Sequence, residues 1–164
     1  MNDVQTSAAV QHLTFNLADE EYGIDILSVR EIRGWSPVTR IPQAPDYVLG
    51  VINLRGAIVP VLDMRIRFGL PVVERDKNAV TIIVAINERN FGIVVDNVSD
   101  VVSIGSDQIQ PVPDMGAVID TRYLRGLVRQ DDRMVLLLDI EKLMKPDDME
   151  SLNAALPAAA DVVA

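Results

Sequence analysis

Two apolar runs separated by a short polar break dominate the middle of the chain. Residues 47–52 read Tyr-Val-Leu-Gly-Val-Ile, the break is Asn53-Leu54-Arg55-Gly56, and residues 57–63 read Ala-Ile-Val-Pro-Val-Leu-Asp. This pattern predicts a β-hairpin with a loop of about four residues. A strand with one wet face alternates apolar and polar residues, because successive side chains point to opposite faces. Neither arm alternates, so both faces of the hairpin should be covered, one by its own core and the other by a different part of the chain. Arg55 stands out as a permanent cation at the turn.

The remaining pattern fills in around this hairpin. Residues 12–17 alternate (His, Leu, Thr, Phe, Asn, Leu) and predict a half-buried strand. Asp19-Glu20-Glu21 makes a charged turn, and residues 22–26 form a second strand that residues 27–32 continue through a bend or a short helical turn. Pro37, Pro42 and Pro45 mark residues 36–45 as loop or edge structure. Asp63 is placed to cap a short helix over residues 64–68, closed by Gly69, and residues 71–78 form a polar linker.

The second half repeats this order. Tyr22-Gly23-Ile24 recurs as Phe91-Gly92-Ile93, an offset of 69 (91 − 22). At that offset Leu13, Phe15 and Leu17 meet Ile82, Val84 and Ile86. Downstream, Ile26, Val29, Glu31 and Ile32 meet Val95, Val98, Asp100 and Val101. Tyr47-x-x-Gly50 then meets Tyr123-x-x-Gly126, and Asp63 meets Asp139, at an offset of 76 (139 − 63). Asp139 should cap a short helix reaching Lys145, stopped by Pro146. Two copies of about 60 residues would each be marginal alone, but packed together they cover each other's exposed faces. One face of the hairpin would then fill a barrel and the other would meet the partner barrel. Residues 1–11 read as a mobile N-terminus. Residues 146–164 read as a tail in which Met149, Leu152 and Leu156 fall at helical spacing.

Composition narrows the class. The chain has 164 residues, 49% of them apolar and only 4% aromatic, so the core is aliphatic. A formal charge of −9 argues against a nucleic-acid partner, whose affinity rests on cationic contacts. There is no cysteine, which excludes disulfides and thiolate metal sites. Residues 1–10 lack the pattern of a secretory signal, and no apolar stretch reaches the ~18–20 residues that span a bilayer. No membrane insertion is expected, and the chain reads as cytoplasmic.

Chemistry is sparse. The single histidine, His12, has no nucleophile beside it. The carboxylate clusters Asp19-Glu20-Glu21, Asp131-Asp132 and Asp147-Asp148 lie in turns or the tail and read as solvated charge rather than a metal or acid/base site. No phosphate-binding loop or dinucleotide fingerprint is present. No catalytic residue, metal or cofactor is expected. What remains is charge on an apolar scaffold, chiefly Arg55 with Arg30, Glu31, Arg33 and Arg40. Arg55 reads either as a solvated loop tip or as a contact for a protein partner, where arginine is favoured for its fixed, bidentate geometry.

At this point the chain resembles the CheW family of chemotaxis coupling proteins, over about residues 12–145. The resemblance rests on Glu21-Tyr22-Gly23-Ile24-Asp25-Ile26-Leu27, Val29-x-Glu31-Ile32-Arg33-Gly34 and Val38-Thr39-Arg40-Ile41-Pro42. It continues through Gly50-Val51-x-Asn53-Leu54-Arg55-Gly56-x-Ile58-Val59-Pro60, then Gly92-Ile93-Val94-Val95-Asp96-x-Val98-Ser99-Asp100-Val101, and closes on Asp139-Ile140-Glu141-Lys142-Leu143. It implies an all-β fold of two pseudo-repeated five-stranded SH3-like β-barrels packed together, with short helices at the barrel ends. The first repeat would span about 12–70 and the second about 80–145, the N-terminal strand being able to pair with the second barrel.

The resemblance also implies a non-catalytic adaptor. Its partners would be the cytoplasmic tip of a chemoreceptor (a methyl-accepting chemotaxis protein) and the regulatory domain of the histidine kinase CheA, in arrays at the membrane. Receptor contact would fall in the groove between the barrels, at Val29, Glu31, Gly50, Arg55, Gly56, Val80 and Val101. Glu31 and Arg55 match the family's polar pair, and Val29, Val80 and Val101 would line an apolar floor for an amphipathic helix. Kinase contacts would lie on barrel-end loops. Ala79-Val80-Thr81 and the linker before it depart from the family pattern, at the point that bears on receptor class. An adaptor of a non-flagellar chemosensory pathway would share fold and mode. A larger coupling protein with a response-receiver domain is not expected, since the chain ends after one adaptor module. An enzyme with an unrecognised site is the alternative of a different class.

Overall fold

The computed structural model describes residues 9–42, 44–71, 78–86, 88–112, 121–143, 148–150 and 152. Residues 1–8 of the expected mobile N-terminus (residues 1–11), most of the polar linker (72–77) and the end of the tail, including Leu156, lie outside the described residues, while Val10 and Gln11 already belong to the first strand.

Ten strands form two five-stranded sheets. They are β1 (Val10–Leu17), β2 (Glu20–Asp25), β3 (Val29–Gly34), β4 (Val48–Leu54), β5 (Ala57–Asp63), β6 (Val80–Ile86), β7 (Arg89–Val95), β8 (Asn97–Ile104), β9 (Leu124–Gln130) and β10 (Arg133–Leu138). The strand orders are β8-β1-β2-β10-β9 and β3-β6-β7-β5-β4. Exchanging each strand for its counterpart five places along converts one order into the other, so the duplication seen in sequence is a pseudo-two-fold in space.

The halves are interlaced rather than side by side. The chain begins in the first sheet with β1 and β2, and crosses at a 3-10 turn (Ile26–Ser28) to lay down β3, β4 and β5 in the second. It stays there for β6 and β7, then returns for β8, β9 and β10. The N-terminal strand pairs with β8, Phe15 opposite Val98 and Leu13 opposite Val101. Each sheet is stitched by one parallel pairing between the halves, β2 with β10 and β5 with β7. A bridge between Thr39 and Val51 draws the loop after β3 onto β4, and Gln110–Leu127 does the same in the other sheet, curling each into a barrel-like form.

Three apolar clusters explain why so few strands alternate. Ile52, Val59, Val61, Ile83 and Val94 fill the inside of the second sheet. Val102, Ile104, Val128, Val135 and Leu137 fill the first. A larger cluster lies between them, taking Leu13, Phe15, Leu17, Tyr22 and Ile24 from one sheet and Val51, Leu62, Ile82, Val84, Ile86, Phe91, Ile93 and Val95 from the other. Successive residues of β4, such as Val51 and Ile52, therefore point into two different cores, each side chain contributing about 1.5–3 kcal/mol of burial.

Local details differ from expectation in four places. The central hairpin turns in two residues, Arg55 and Gly56, with Leu54 opposite Ala57, not in four. Both turn residues have positive φ (53° and 87°), the mirror-image turn that matches strand twist, and the Asn53 side chain accepts from the Gly56 amide at 2.8 Å. The charged turn after β1 is Ala18-Asp19, and Glu20 and Glu21 already belong to β2. Ile26 lies in the 3-10 turn rather than in the strand. His12 is buried, not half-exposed, because β1 is covered on both faces.

Asp63 caps the helix α1 (Met64–Arg67) through the amides of Arg65 and Ile66, and Gly69 follows with φ of 71°. Asp139 caps in the same way, but the element is a 3-10 turn, Ile140–Lys142, whose expected extension to Lys145 lies outside the described residues. In the tail, residues 148–150 and 152 are helical, Leu152 is fully buried and Met149 packs on the central cluster.

Candidate functional site

Glu31 and Arg55 are separated by 24 residues, and the fold brings them into contact. Arg55 projects from the β4–β5 turn and Glu31 from the edge strand β3, and Arg55 Nη2 donates to Glu31 Oε1 at 2.7 Å. Arg33, one step along β3, stands 3.9 Å from the other carboxylate oxygen. The hydrogen bond from Arg55, followed by the charges of Arg55 and Arg33, holds the Glu31 carboxyl below the usual carboxylate range. The Arg55 side chain is 73% exposed and Glu31 is 29% exposed, so the pair is wet, open to a partner and worth little to folding.

The left-handed backbone at Arg55 is a demand of the two-residue turn, not a mark of function. Ala18, Glu88 and Asp131 adopt the same φ sign in the other three hairpins. Asp131 is the counterpart of Arg55 at the 76-residue offset, and Asp100 is the counterpart of Glu31. The first sheet thus carries two acids at the positions where the second carries an ion pair, and at the turn position itself only the second presents an arginine.

The other expected site residues divide by environment. Val29 and Val80 are half-buried and pack against the cluster between the sheets, at its margin. Gly56 completes the turn. Gly50 is buried, and a Cβ there would lie 2.2 Å from the Thr39 carbonyl oxygen, so it serves the close approach of loop to strand and is not an accessible contact. Val101 is exposed on β8, in the sheet that holds none of the other six. A surface using all of them has to cross the seam. Val98, also on β8, packs against the seam cluster from that side. Sequence reasoning left it out, although the 69-residue offset from Val29 points to it.

One end of the seam is closed. Ile86, at the end of β6, pairs with Arg89, whose guanidinium meets the Met149 sulfur of the C-terminal turn at 3.6 Å. Val80 is at the opposite end of β6, roughly 20 Å away by strand rise. Among the described residues, the margin near Val80 and β3 is therefore the one the C-terminal turn leaves uncovered.

No reacting constellation accompanies this surface. His12 Nδ1 faces the Val10 carbonyl at 2.9 Å and Nε2 has no partner inside the barrel. Among the described residues no group of three or more histidine, aspartate or glutamate side chains is arranged to hold a metal. A hollow of about 840 Å³ opens beside the proline-bearing loop, lined by Trp35, Arg40, Ile41, Leu49 and Ile66 among others, and brings no nucleophile to a base. No helix among the described residues is long and apolar enough to cross a membrane. The arrangement suits binding.

A family model described as a CheW-like domain matches residues 11–147. The chain belongs to the CheW-like family. It is 49% identical to the chemotaxis protein CheW of Klebsiella aerogenes over 139 residues, covering 85% of this chain and 84% of that one. The chemotaxis protein CheW of Rhizobium meliloti is 36% identical over 146 residues, covering 89% and 94%. Among solved structures, the scaffolding protein TtCheW of Thermoanaerobacter tengcongensis superposes with a TM-score of 0.79 at 35% identity, over 85% of this chain and 95% of that one. The chain is accordingly a chemotaxis adaptor of the CheW type, a scaffold and not a catalyst, and its two packed barrels are the family fold.

Proposed function

We propose that this CheW-like adaptor couples the cytoplasmic tip of a chemoreceptor to the regulatory domain of the histidine kinase CheA, in the cytoplasm at membrane-associated arrays. The receptor helix lies along the open margin of the seam, over Val29 and Val80, with Glu31 and Arg55 at one flank and Val101 at the other. Kinase contacts fall on the barrel-end loops. The observation that carries the receptor assignment is the exposed Glu31–Arg55 pair beside half-buried valines that already border the inter-barrel core. An amphipathic helix needs this combination, an apolar stripe and a charged flank.

Signalling then requires no chemistry. A shift of the receptor changes the relative free energy of two kinase arrangements, provided the adaptor contacts them differently. Individually weak contacts suffice where many are linked.

Arg55→Glu tests the receptor site. The substitution places two carboxylates together at an exposed corner. Binding of a soluble receptor-tip fragment should weaken by about 1–3 kcal/mol, the scale of a charged interface contact, with the melting temperature nearly unchanged. The double exchange Glu31→Arg with Arg55→Glu restores the pair in reverse and should not restore binding. Undiminished receptor binding by Arg55→Glu would remove the site assignment.

A further inference from the structure

Arg67, the last residue of α1, joins the two halves of the chain through a set of corresponding positions. Its counterpart at the 76-residue offset is Leu143, and the Arg67 Nε donates to the Leu143 carbonyl itself. The guanidinium lies between two rings that are also counterparts, 4.8 Å from the centroid of Tyr47 and 4.5 Å from that of Tyr123. Its Nη1 also donates to the Tyr123 hydroxyl. One arginine, from the first half, thus contacts both corresponding tyrosines, and the second half has leucine at the matching position. The Tyr47 hydroxyl donates to the Asp148 carboxylate of the C-terminal turn at 2.5 Å, and the Phe68 ring packs on Tyr123 at a tilt of 32° with centroids 5.4 Å apart.

Tyr47 leads into β4 of the second sheet and Tyr123 into β9 of the first, each fixed by its carbonyl accepting from Asp63 or Asp139 at 2.8 Å. Arg67 therefore grips both sheets, at the start of β4 and the start of β9. Apolar contact between the sheets is non-directional and tolerates sliding. A planar cation held between two faces and by two donated hydrogen bonds does not.

We infer that Arg67 is a positioning residue that sets how the two barrels sit relative to one another, and through this the spacing of the docking surface between Val101 on one sheet and Val29, Glu31 and Arg55 on the other. The link to docking rests on the receptor reading above; the geometric part does not.

The absence of cysteine makes the test clean. Spin labels at Asn90→Cys on β7 and Ser103→Cys on β8, both exposed positions, report the distance between sheets. Arg67→Met keeps an unbranched apolar stem but removes the cation and donors. Its distance distribution should broaden while the far-ultraviolet spectrum stays that of the parent, and Arg67→Lys should recover most of the narrowing. If the competent arrangement falls to about one-tenth of the molecules, affinity for a receptor-tip fragment falls about tenfold. Should Arg67→Met fail to fold, Tyr123→Leu, which removes one face of the sandwich, decides in its place and should broaden the distribution less. A folded Arg67→Met or Tyr123→Leu variant with a distribution as narrow as the parent's would overturn the inference. Broadening in a background where the parent itself binds no receptor fragment would leave the geometry standing and dismiss the receptor reading alone.

Discussion

Asp96 shows how a charged residue is made structural. It sits where the chain leaves β7 for β8, crossing from one sheet to the other. Its carboxylate accepts from Arg65 Nε at 2.8 Å, from Arg65 Nη2 at 2.6 Å and from the Ala18 amide at 2.8 Å. Burial alone would raise its pKa, but the Arg65 hydrogen bonds, the Ala18 amide and the Arg65 charge more than offset this, leaving the group below the usual carboxylate range. A depressed folded pKa contributes stability that is present above the unfolded value and lost as pH falls through the folded one. Asp96→Asn should therefore cost about 2 kcal/mol at neutral pH, the worth of charge-assisted hydrogen bonds. The gap between parent and variant in denaturant melts should begin to close below about pH 4 and vanish in stronger acid. A gap independent of pH would show that the charge is not what matters. Glu31 shares the direction of shift but is exposed, so its titration should register in partner binding and hardly in folding.

At the scale of elements, the physical signal that survived from sequence to structure was the failure of strands to alternate. Val94 and Val95 are neighbours in sequence, yet Val94 is buried inside one barrel and Val95 in the cluster between the two. Val95→Asp should unfold the protein or shift its melt strongly downward, because it leaves a carboxylate unpaired in an apolar seam. A parent-like melting curve would mean that the register of β7 is wrong. Turn chemistry was less legible. The Asn53-Leu54-Arg55-Gly56 break reads as a four-residue loop, since arginine is not a usual left-handed residue, but pairing of Leu54 with Ala57 extends the ladder and forces the tighter turn. The burial of His12 was hidden for a related reason: β1 lies between β8 and β2, and alternation in residues 12–17 marks two different cores rather than core and solvent. Gly50 was legible as important but not in kind, because the nearness of the Thr39 carbonyl depends on a loop eleven residues upstream (50 − 39).

For the whole molecule, the repeat offsets located the architecture, and the family motifs named it. The resemblance allowed the N-terminal strand to pair with the second barrel, as it does with β8, but the full interlacing by which each sheet takes strands from both halves was not legible, since strand exchange between equivalent copies leaves the local pattern unchanged. It has a functional consequence: neither half of the chain can detach from the other without breaking both sheets, and the chain crosses between the sheets after β2 and after β7, so the seam is a built-in surface that a partner can use. The pseudo-symmetry is broken where it matters. Arg55 and Glu31 have Asp131 and Asp100 as counterparts, Arg67 has Leu143, and among the described residues the C-terminal turn closes one end of the seam. The central claim is that a receptor helix docks across the remaining margin. Hydrogen exchange of the adaptor with and without a soluble receptor-tip fragment tests this most directly. Binding should slow exchange in β3, the Arg55-Gly56 turn, the start of β6 at Val80 and β8 around Val101, and leave the Asp131-Asp132 turn unchanged. Protection confined to the Asp131-Asp132 turn or the C-terminal turn, with β3 and the Arg55 corner exchanging as in the free protein, would contradict it.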